Sequence, residues 1–176
     1  MTRRKPMATR NRPSGAKPMS VSTGFSGKMT SVVGGLKEIV RTPYTLAPAV
    51  PGSVDNVALM ASACLRGATG TRMQTVTFTA DTMAALFETF DRDTSGQGGD
   101  DFDLVLLNST GTPVASSATF GSTETIALLA PAPGTYRLCT IAYSTADGQP
   151  SNYGLHSVIV NTSDKGGNLR AAVPAT

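Results

Sequence analysis

From residue 73 onward the chain is a series of short strand-like runs, and a turn signal ends each of them. Apolar and β-branched residues alternate or cluster within the runs, and Gly, Pro, Asn, Asp or Ser separate one run from the next. Because no helical period intervenes, we expect an all-β fold, an antiparallel β-sandwich of jelly-roll type with about 7–9 strands. The spacing predicts strands at Met73–Thr79, Met83–Phe90, Phe102–Leu107, Pro113–Ser116, Thr123–Leu129, Gly134–Ser144 and Tyr153–Val160.

The part of the chain before residue 73 is less regular. Lys28–Val33 and Leu36–Val40 predict one or two further strands. Apolar residues at helical spacing predict a short helix over Asp55–Leu65, with Asp55 capping its start and Gly67 its end, and an irregular loop is the alternative. The predicted organisation is a disordered basic leader (1–19), a lead-in segment (20–72), a sandwich core (73–160) and a flexible tail (161–176).

Charge divides the chain into a basic beginning and an acidic remainder. Residues 1–41 contain nine Lys or Arg and one acid, a net charge of +8, whereas residues 42–176 contain six bases and eleven acids, a net charge of −5. The leader also contains Pro6, Pro13 and Pro18 and little apolar surface to bury, which indicates disorder. A basic segment of this kind can alternatively bind nucleic acid or another anionic surface.

The sequence gives little indication of a compartment. No apolar run approaches the roughly 18 residues of a membrane-spanning helix, so we predict no membrane span. Arg3, Arg4 and Lys5 are not followed by the apolar stretch of a signal peptide, so none is predicted in the chain as given. Cys64 and Cys139 either form one disulfide or remain two buried thiols.

Five aspartates lie within thirteen residues of a Gly-rich connection. Clustered carboxylates and backbone carbonyls can supply the six to eight oxygens that Ca²⁺ prefers, so the cluster predicts a calcium site. An EF-hand is excluded because Phe102 stands where that loop needs a bidentate Glu, and a lone His with two distant Cys argues against zinc. The alternative is a solvated acidic turn. The candidate ligands are Asp91, Asp93, Asp100, Asp101 and Asp103.

Two stretches of the predicted sandwich resemble strands of a known accessory domain. Asp100–Gly111 (DDFDLVLLNSTG) resembles the strand of bacterial pre-peptidase C-terminal domains in which acidic residues precede an apolar strand and a Gly-containing turn. Gly134–Tyr143 (GTYRLCTIAY) resembles the later Gly-Thr-Tyr strand of the same domain. Residues 73–160 therefore look like the C-terminal accessory domain of secreted subtilisin-like serine proteases, and residues 20–72 like the segment that leads into it.

This resemblance implies a non-catalytic module that assists the secretion, stability or substrate attachment of a protease. Its partner would be a subtilisin-like catalytic domain in a longer secreted precursor, or a protein or polysaccharide surface, and its location would be extracellular. The chain contains none of the separate Asp, His and Ser motifs of a catalytic triad, so we predict that it is not an enzyme. The single histidine, His156, lies among apolar residues of the last predicted strand, where we expect a structural role.

A function of a different class is consistent with the same features. A basic arm ahead of a jelly roll is how many icosahedral coat proteins package RNA, because Lys and Arg neutralise phosphates. Against this interpretation, the leader contains no aromatic residues that could stack on bases, and the predicted sandwich follows the order of the protease accessory domain. The alternative to a protease accessory module is therefore a small capsid-like or RNA-binding protein.

Overall fold

The computed structural model describes residues 37–164, which form two antiparallel four-stranded sheets. One helix and two short 3₁₀ turns, Asp91–Asp93 and Gln97–Gly99, accompany the strands. The predicted all-β sandwich is confirmed, and its eight strands fall within the expected number. The elements are β1 (Val40–Leu46), α1 (Val57–Arg66), β2 (Thr71–Phe78), β3 (Thr82–Thr89), β4 (Asp101–Leu107), β5 (Pro113–Ser117), β6 (Glu124–Leu129), β7 (Gly134–Ser144) and β8 (Ser151–Asn161).

The strand order gives the sandwich its jelly-roll topology. The first sheet has the order β1-β8-β3-β6, and the second has the order β2-β7-β4-β5. Antiparallel pairs form between β1 and β8, β2 and β7, β3 and β6, and β4 and β5. The chain therefore pairs with itself as one long hairpin whose successive strand pairs alternate between the two sheets. Two sheets connected in this way form a jelly roll.

The seven strands predicted after residue 73 are all present, with bounds that differ by at most two residues. The strand predicted over Leu36–Val40 is wrong for the described residues, because residues 37–39 lie outside any strand and β1 begins at Val40. Pro43 interrupts the strand pattern, and it is tolerated because β1 is an edge strand that pairs with β8 alone. The predicted leader, the strand predicted over Lys28–Val33 and residues 165–176 of the predicted tail lie outside the described residues.

Helix α1 covers the outer face of the second sheet. Its N-terminal cap is Asn56, whose side chain accepts a hydrogen bond from the Leu59 N–H at 3.0 Å, so the prediction of Asp55 as the cap is wrong by one residue. Gly67 ends the helix as predicted, in the left-handed conformation at φ +60°. In residues 37–164 no helix is long and apolar enough to cross a membrane.

Two apolar clusters lie on opposite faces of the second sheet. The cluster between the sheets contains large aromatic side chains, including Phe78, Phe87, Phe102 and Tyr153. The second cluster lies beneath α1 and the loop before it, where β4 and β7 contribute Val105, Leu107, Cys139 and Ile141 and the helix contributes Met60, Ala63 and Cys64. Strand β4 is consequently buried on both faces, which explains the nearly unbroken apolar run FDLVLL.

A disulfide joins α1 to the second sheet. Cys64 of the helix and Cys139 of β7 are bonded, with their Cα atoms 6.2 Å apart, and both side chains are buried in the second cluster. The bond closes a loop between residues 75 positions apart in the chain. Of the two alternatives that the sequence leaves open, the structure contains the disulfide.

Removing this disulfide should destabilise the domain substantially. In the chain-entropy model, a loop of this length contributes about 4 kcal/mol. We expect the Cys64→Ala/Cys139→Ala variant to lose most of that free energy of unfolding in guanidinium titrations under oxidising conditions. Wild-type protein treated with a reductant is the control, and it should shift by a similar amount. Identical midpoints for oxidised, reduced and variant protein would contradict the bond.

Candidate functional site

The five predicted calcium ligands separate into three groups. Asp91 and Asp100 bind the loops at one end of the sandwich. Asp91 accepts hydrogen bonds from the Ser122 N–H at 2.6 Å and the Thr123 hydroxyl at 3.1 Å. Asp100 accepts them from the Gly96 and Ala146 N–H groups and from the Ser151 hydroxyl. Burial alone would raise the pKa of Asp100, but these hydrogen bonds outweigh it and hold the pKa below its ordinary value.

Asp93 belongs to a separate cluster with the only histidine. It is hydrogen-bonded to His156 Nε2, and the Arg41 Nε lies 3.3 Å from the same carboxylate oxygen. The hydrogen bond to His156 is the main reason that the pKa of Asp93 is lowered, and Arg41 adds to it. The His156 ring also packs edge-on against Phe90, with ring centroids 5.1 Å apart. This environment connects β1, β8 and the loop after β3.

The remaining two aspartates lie on β4, on its outer face. Because side chains alternate along a strand, Phe102, Leu104 and Leu106 enter the space between the sheets while Asp101 and Asp103 face the other way. The sequence alternation predicts that Asp103 points away from Leu104 and Leu106. It does not predict that α1 and the preceding loop cover that face, so that Asp103 is only 3% exposed.

Asp101 and Asp103 open into a cavity of about 550 Å³ between the outer face of β4 and α1, here called the carboxylate cleft. Val57 and Met60 of the helix contribute an apolar wall. Phe120, which is fully exposed, and Tyr143, which is 42% exposed, contribute aromatic rings. The carboxylate cleft thus combines the two acidic groups of β4, and Asp55 from the loop before α1, with apolar and aromatic side chains.

The two carboxylates in this cleft are poorly compensated. Burial raises the pKa of Asp103 to about 7, and the nearby charges of Asp101 and Glu124 add to the effect. Burial also raises the pKa of Asp101, although the Gly121 N–H opposes it. One oxygen of Asp101, Oδ1, is buried without a hydrogen-bond partner in the described part of the chain. Buried carboxylates are normally paired or hydrogen-bonded, so this pair is unusual.

Glu124 is an acidic residue that the sequence analysis did not single out. It is buried at the start of β6 and accepts hydrogen bonds from the Ser117 and Thr119 hydroxyls and from the Thr119 N–H. The sequence contains a signal for this burial. In the run ETIALL, Glu124 lies two positions before the inward-facing Ile126 and therefore on the same face of the strand. Its bonds hold the connection between β5 and β6 next to the carboxylate cleft.

The arrangement gives the calcium prediction no support. Across residues 37–164, no group of three or more His, Cys, Asp or Glu side chains is placed to hold a metal ion. Asp91, Asp93 and Asp100 instead bind protein groups, and Asp101 and Asp103 lie apart on β4.

Comparisons with known proteins do not identify the chain's function. The chain matches no protein-family model and no curated protein sequence. The resemblance to a protease accessory domain and the coat-protein alternative therefore both remain hypotheses.

The raised pKa of Asp103 predicts a specific dependence of stability on pH. The folded state keeps a proton on Asp103 up to about pH 7, whereas the unfolded chain releases it near pH 4. This group's contribution to stability therefore falls as the pH rises from about 4 to about 7. We expect Asp103→Asn to raise the free energy of unfolding by up to about 4 kcal/mol at pH 8 and to change it little at pH 4.

Denaturant titrations at the two pH values measure this difference. The control is Asp147→Asn, which removes an exposed carboxylate from the loop between β7 and β8 and should not show the same pH dependence. A loss of stability in Asp103→Asn at pH 8 would contradict the uncompensated charge.

Proposed function

We propose that the chain is a small capsid-like protein, in which the jelly roll forms the shell and the basic N-terminal segment binds RNA. The observation that carries the proposal is the strand order β1-β8-β3-β6 and β2-β7-β4-β5, because the eight-stranded jelly roll is an architecture of viral capsid domains. Lectin domains and cupins share this architecture, so the fold alone does not select the function. The distribution of charge favours the capsid-like alternative.

Charge separates the two parts of the chain sharply. All twelve acidic residues lie within residues 37–164, together with only six bases, whereas residues 1–36 contain seven bases and no acid. A net charge of −6 on the described domain repels phosphates, so RNA would be held by the N-terminal segment. Lys and Arg in such a segment bind by neutralising phosphates and releasing counterions. A shell that encloses nucleic acid requires these two separate roles, a folded domain that forms the shell and a basic segment that binds the RNA.

Exposed apolar side chains supply candidate contacts between copies. Phe120 is fully exposed, Leu129 is 88% exposed and Val114 is 50% exposed. Leu129 also borders a shallow apolar groove of about 150 Å³ on the outer face of the first sheet, beside Leu86 and Val158. Such surfaces commonly mark protein interfaces, and we propose that a second copy of this chain covers the groove in an assembled shell.

The second candidate is the accessory module of a secreted subtilisin-like protease. The disulfide between Cys64 and Cys139 favours it, because disulfides persist in extracellular and other oxidising environments. In that case the partners are a catalytic domain in a longer precursor and a protein or polysaccharide surface. The same bond is compatible with a virion surface, so it does not outweigh the topology and charge. The two candidates differ in RNA binding and self-assembly.

The full chain should purify with RNA and bind it in a salt-dependent way. We expect its affinity for single-stranded RNA to fall roughly a hundredfold or more between 50 and 200 mM salt, because several phosphates are neutralised. Filter binding measures the affinity, and electron microscopy measures whether particles form. A variant with glutamine at five basic positions should lose most of this binding; the positions are Arg3, Arg4, Lys5, Arg10 and Arg12.

The matched control is Arg66→Gln, which removes a base from α1 in the folded domain and should leave RNA binding nearly unchanged. A nucleic-acid-free monomer at all protein concentrations would contradict the proposal and favour the accessory module. Binding that is insensitive to salt would contradict the role of the basic segment.

Replacing the most exposed leucine should weaken self-assembly without unfolding the domain. Leu129→Ser removes apolar surface from the edge strand β6, and its side chain makes little contact within the monomer. We expect sedimentation to show a higher protein concentration for half-assembly and thermal melting to show little change. Thr125→Ala, an exposed change on the same face of β6, is the control. If Leu129→Ser and Thr125→Ala reach half-assembly at the same protein concentration, Leu129 is not part of the interface.

A further inference from the structure

The carboxylate cleft contains two acidic side chains that the described part of the chain compensates poorly. Asp103 is 3% exposed, and burial together with the negative charges of Asp101 and Glu124 raises its pKa, with no hydrogen bond from residues 37–164 opposing them. Asp101 adds a buried oxygen without a partner among the described residues. Both side chains border the same cavity of about 550 Å³. A positively charged group placed in this cavity would supply the missing interaction.

The lining of the cleft indicates what kind of cation this is. Hard metal ions need six to eight oxygen ligands, whereas no group of three acidic, His or Cys ligands is assembled anywhere in residues 37–164. The remaining wall contains apolar surface from Val57 and Met60 and an aromatic ring from Phe120, beside the polar residues Asp55, Asn56 and Thr119. Aliphatic and aromatic surfaces favour an organic body, and aromatic faces also attract ammonium and guanidinium groups.

We propose that the carboxylate cleft binds an ammonium or guanidinium group carried on an apolar body, with Asp101 and Asp103 receiving the charge. The two carboxylates are two positions apart on one face of β4, which places their Cα atoms about 7 Å apart. One cationic head can therefore contact both. Its body lies against Val57 and Met60, at the side of the cleft formed by α1.

This chemistry is shared by two sources. One is a Lys or Arg side chain, of which residues 1–36 contain seven, and the other is a free amine. The cavity of about 550 Å³ accommodates either of them. The acidic residues of the site lie on the folded domain and are distinct from the basic positions of the proposed RNA binding.

Benzylammonium is a suitable probe, because it combines a cationic head with an apolar ring. We expect NMR titration of the full chain at pH 8 to shift the backbone amides of residues 54–57 and 101–103, with a Kd in the millimolar range. Benzyl alcohol, which lacks the charge, and Ca²⁺, which lacks the apolar body, should bind at least tenfold more weakly. Binding of benzyl alcohol with equal affinity, or tighter binding of Ca²⁺, would overturn the proposal.

Substitutions test the two carboxylates directly. Asp101→Asn and Asp103→Asn should each weaken benzylammonium binding at least tenfold, while both variants remain folded because they remove an uncompensated charge. Glu38→Gln, an exposed acid that precedes β1, is the matched control and should bind like the wild type. Unchanged binding by both Asn variants would overturn the assignment.

Binding should also weaken at pH 5, where Asp103 is largely protonated. The other groups that face the cleft region are Asp101 on the same strand, Asp55 before α1, Glu124 on β6 and Tyr143 on β7. Asp103→Asn should abolish most of the pH dependence, which separates Asp103 from these neighbours. Identical affinities at pH 5 and pH 8 in the wild type would contradict a role for Asp103.

The source of the natural cation is resolved by comparing two full-length proteins. If the N-terminal segment occupies the cleft, the variant with five glutamines in that segment should bind benzylammonium more tightly than the wild type. Equal affinity for the two proteins identifies a cation from another molecule. Both outcomes support the site, and absence of binding to either protein overturns it. RNA binding is measured separately, so failure here leaves the proposed function untouched.

Discussion

Strand β4 is buried on both faces, and the packing of the sandwich, the position of helix α1 and the carboxylate cleft all depend on this burial. One face contributes Phe102, Leu104 and Leu106 to the core between the sheets, and the other places Val105 and Leu107 beneath α1. The helix must cover this second face, and the disulfide to β7 holds it there. Asp101 and Asp103 lie at the start of the same face of β4. The helix and the loop before it, which bury the apolar residues of this face, therefore also shield these two carboxylates from water.

The strand pattern of the sequence was sufficient to predict most of the fold. Strands such as Gly134–Ser144 carry strong β propensity and lie between clear turn signals, so local chemistry defines them. Strand β1 was misplaced because Pro43 breaks its pattern, and only its pairing with β8 stabilises it as a strand. Long-range pairing of this kind leaves no local signal in the sequence.

The candidate site was predictable only in part. The five aspartates are close in sequence, but the two 3₁₀ turns and the alternation of β4 direct their side chains to different parts of the domain. Asp91 and Asp100 became loop anchors because backbone N–H groups from distant segments reach them. The alternation of β4 gives the direction of Asp103, whereas its burial depends on α1, which packs over β4 from about forty residues earlier in the chain. The burial of Asp103 by tertiary packing, rather than its residue type, distinguishes its carboxylate chemically from the other aspartates.

The nested strand pairing also sets an order of events during synthesis. Residues of β1 pair with residues of β8 that lie 105 to 117 positions later in the chain, so β1 remains without its only strand partner until nearly the whole domain has been made. Closing such long loops is slow compared with forming local contacts. The basic segment precedes β1 and therefore leaves the ribosome before any strand of the sandwich. Any anion that it attracts in the cell can therefore reach it before the sandwich has closed.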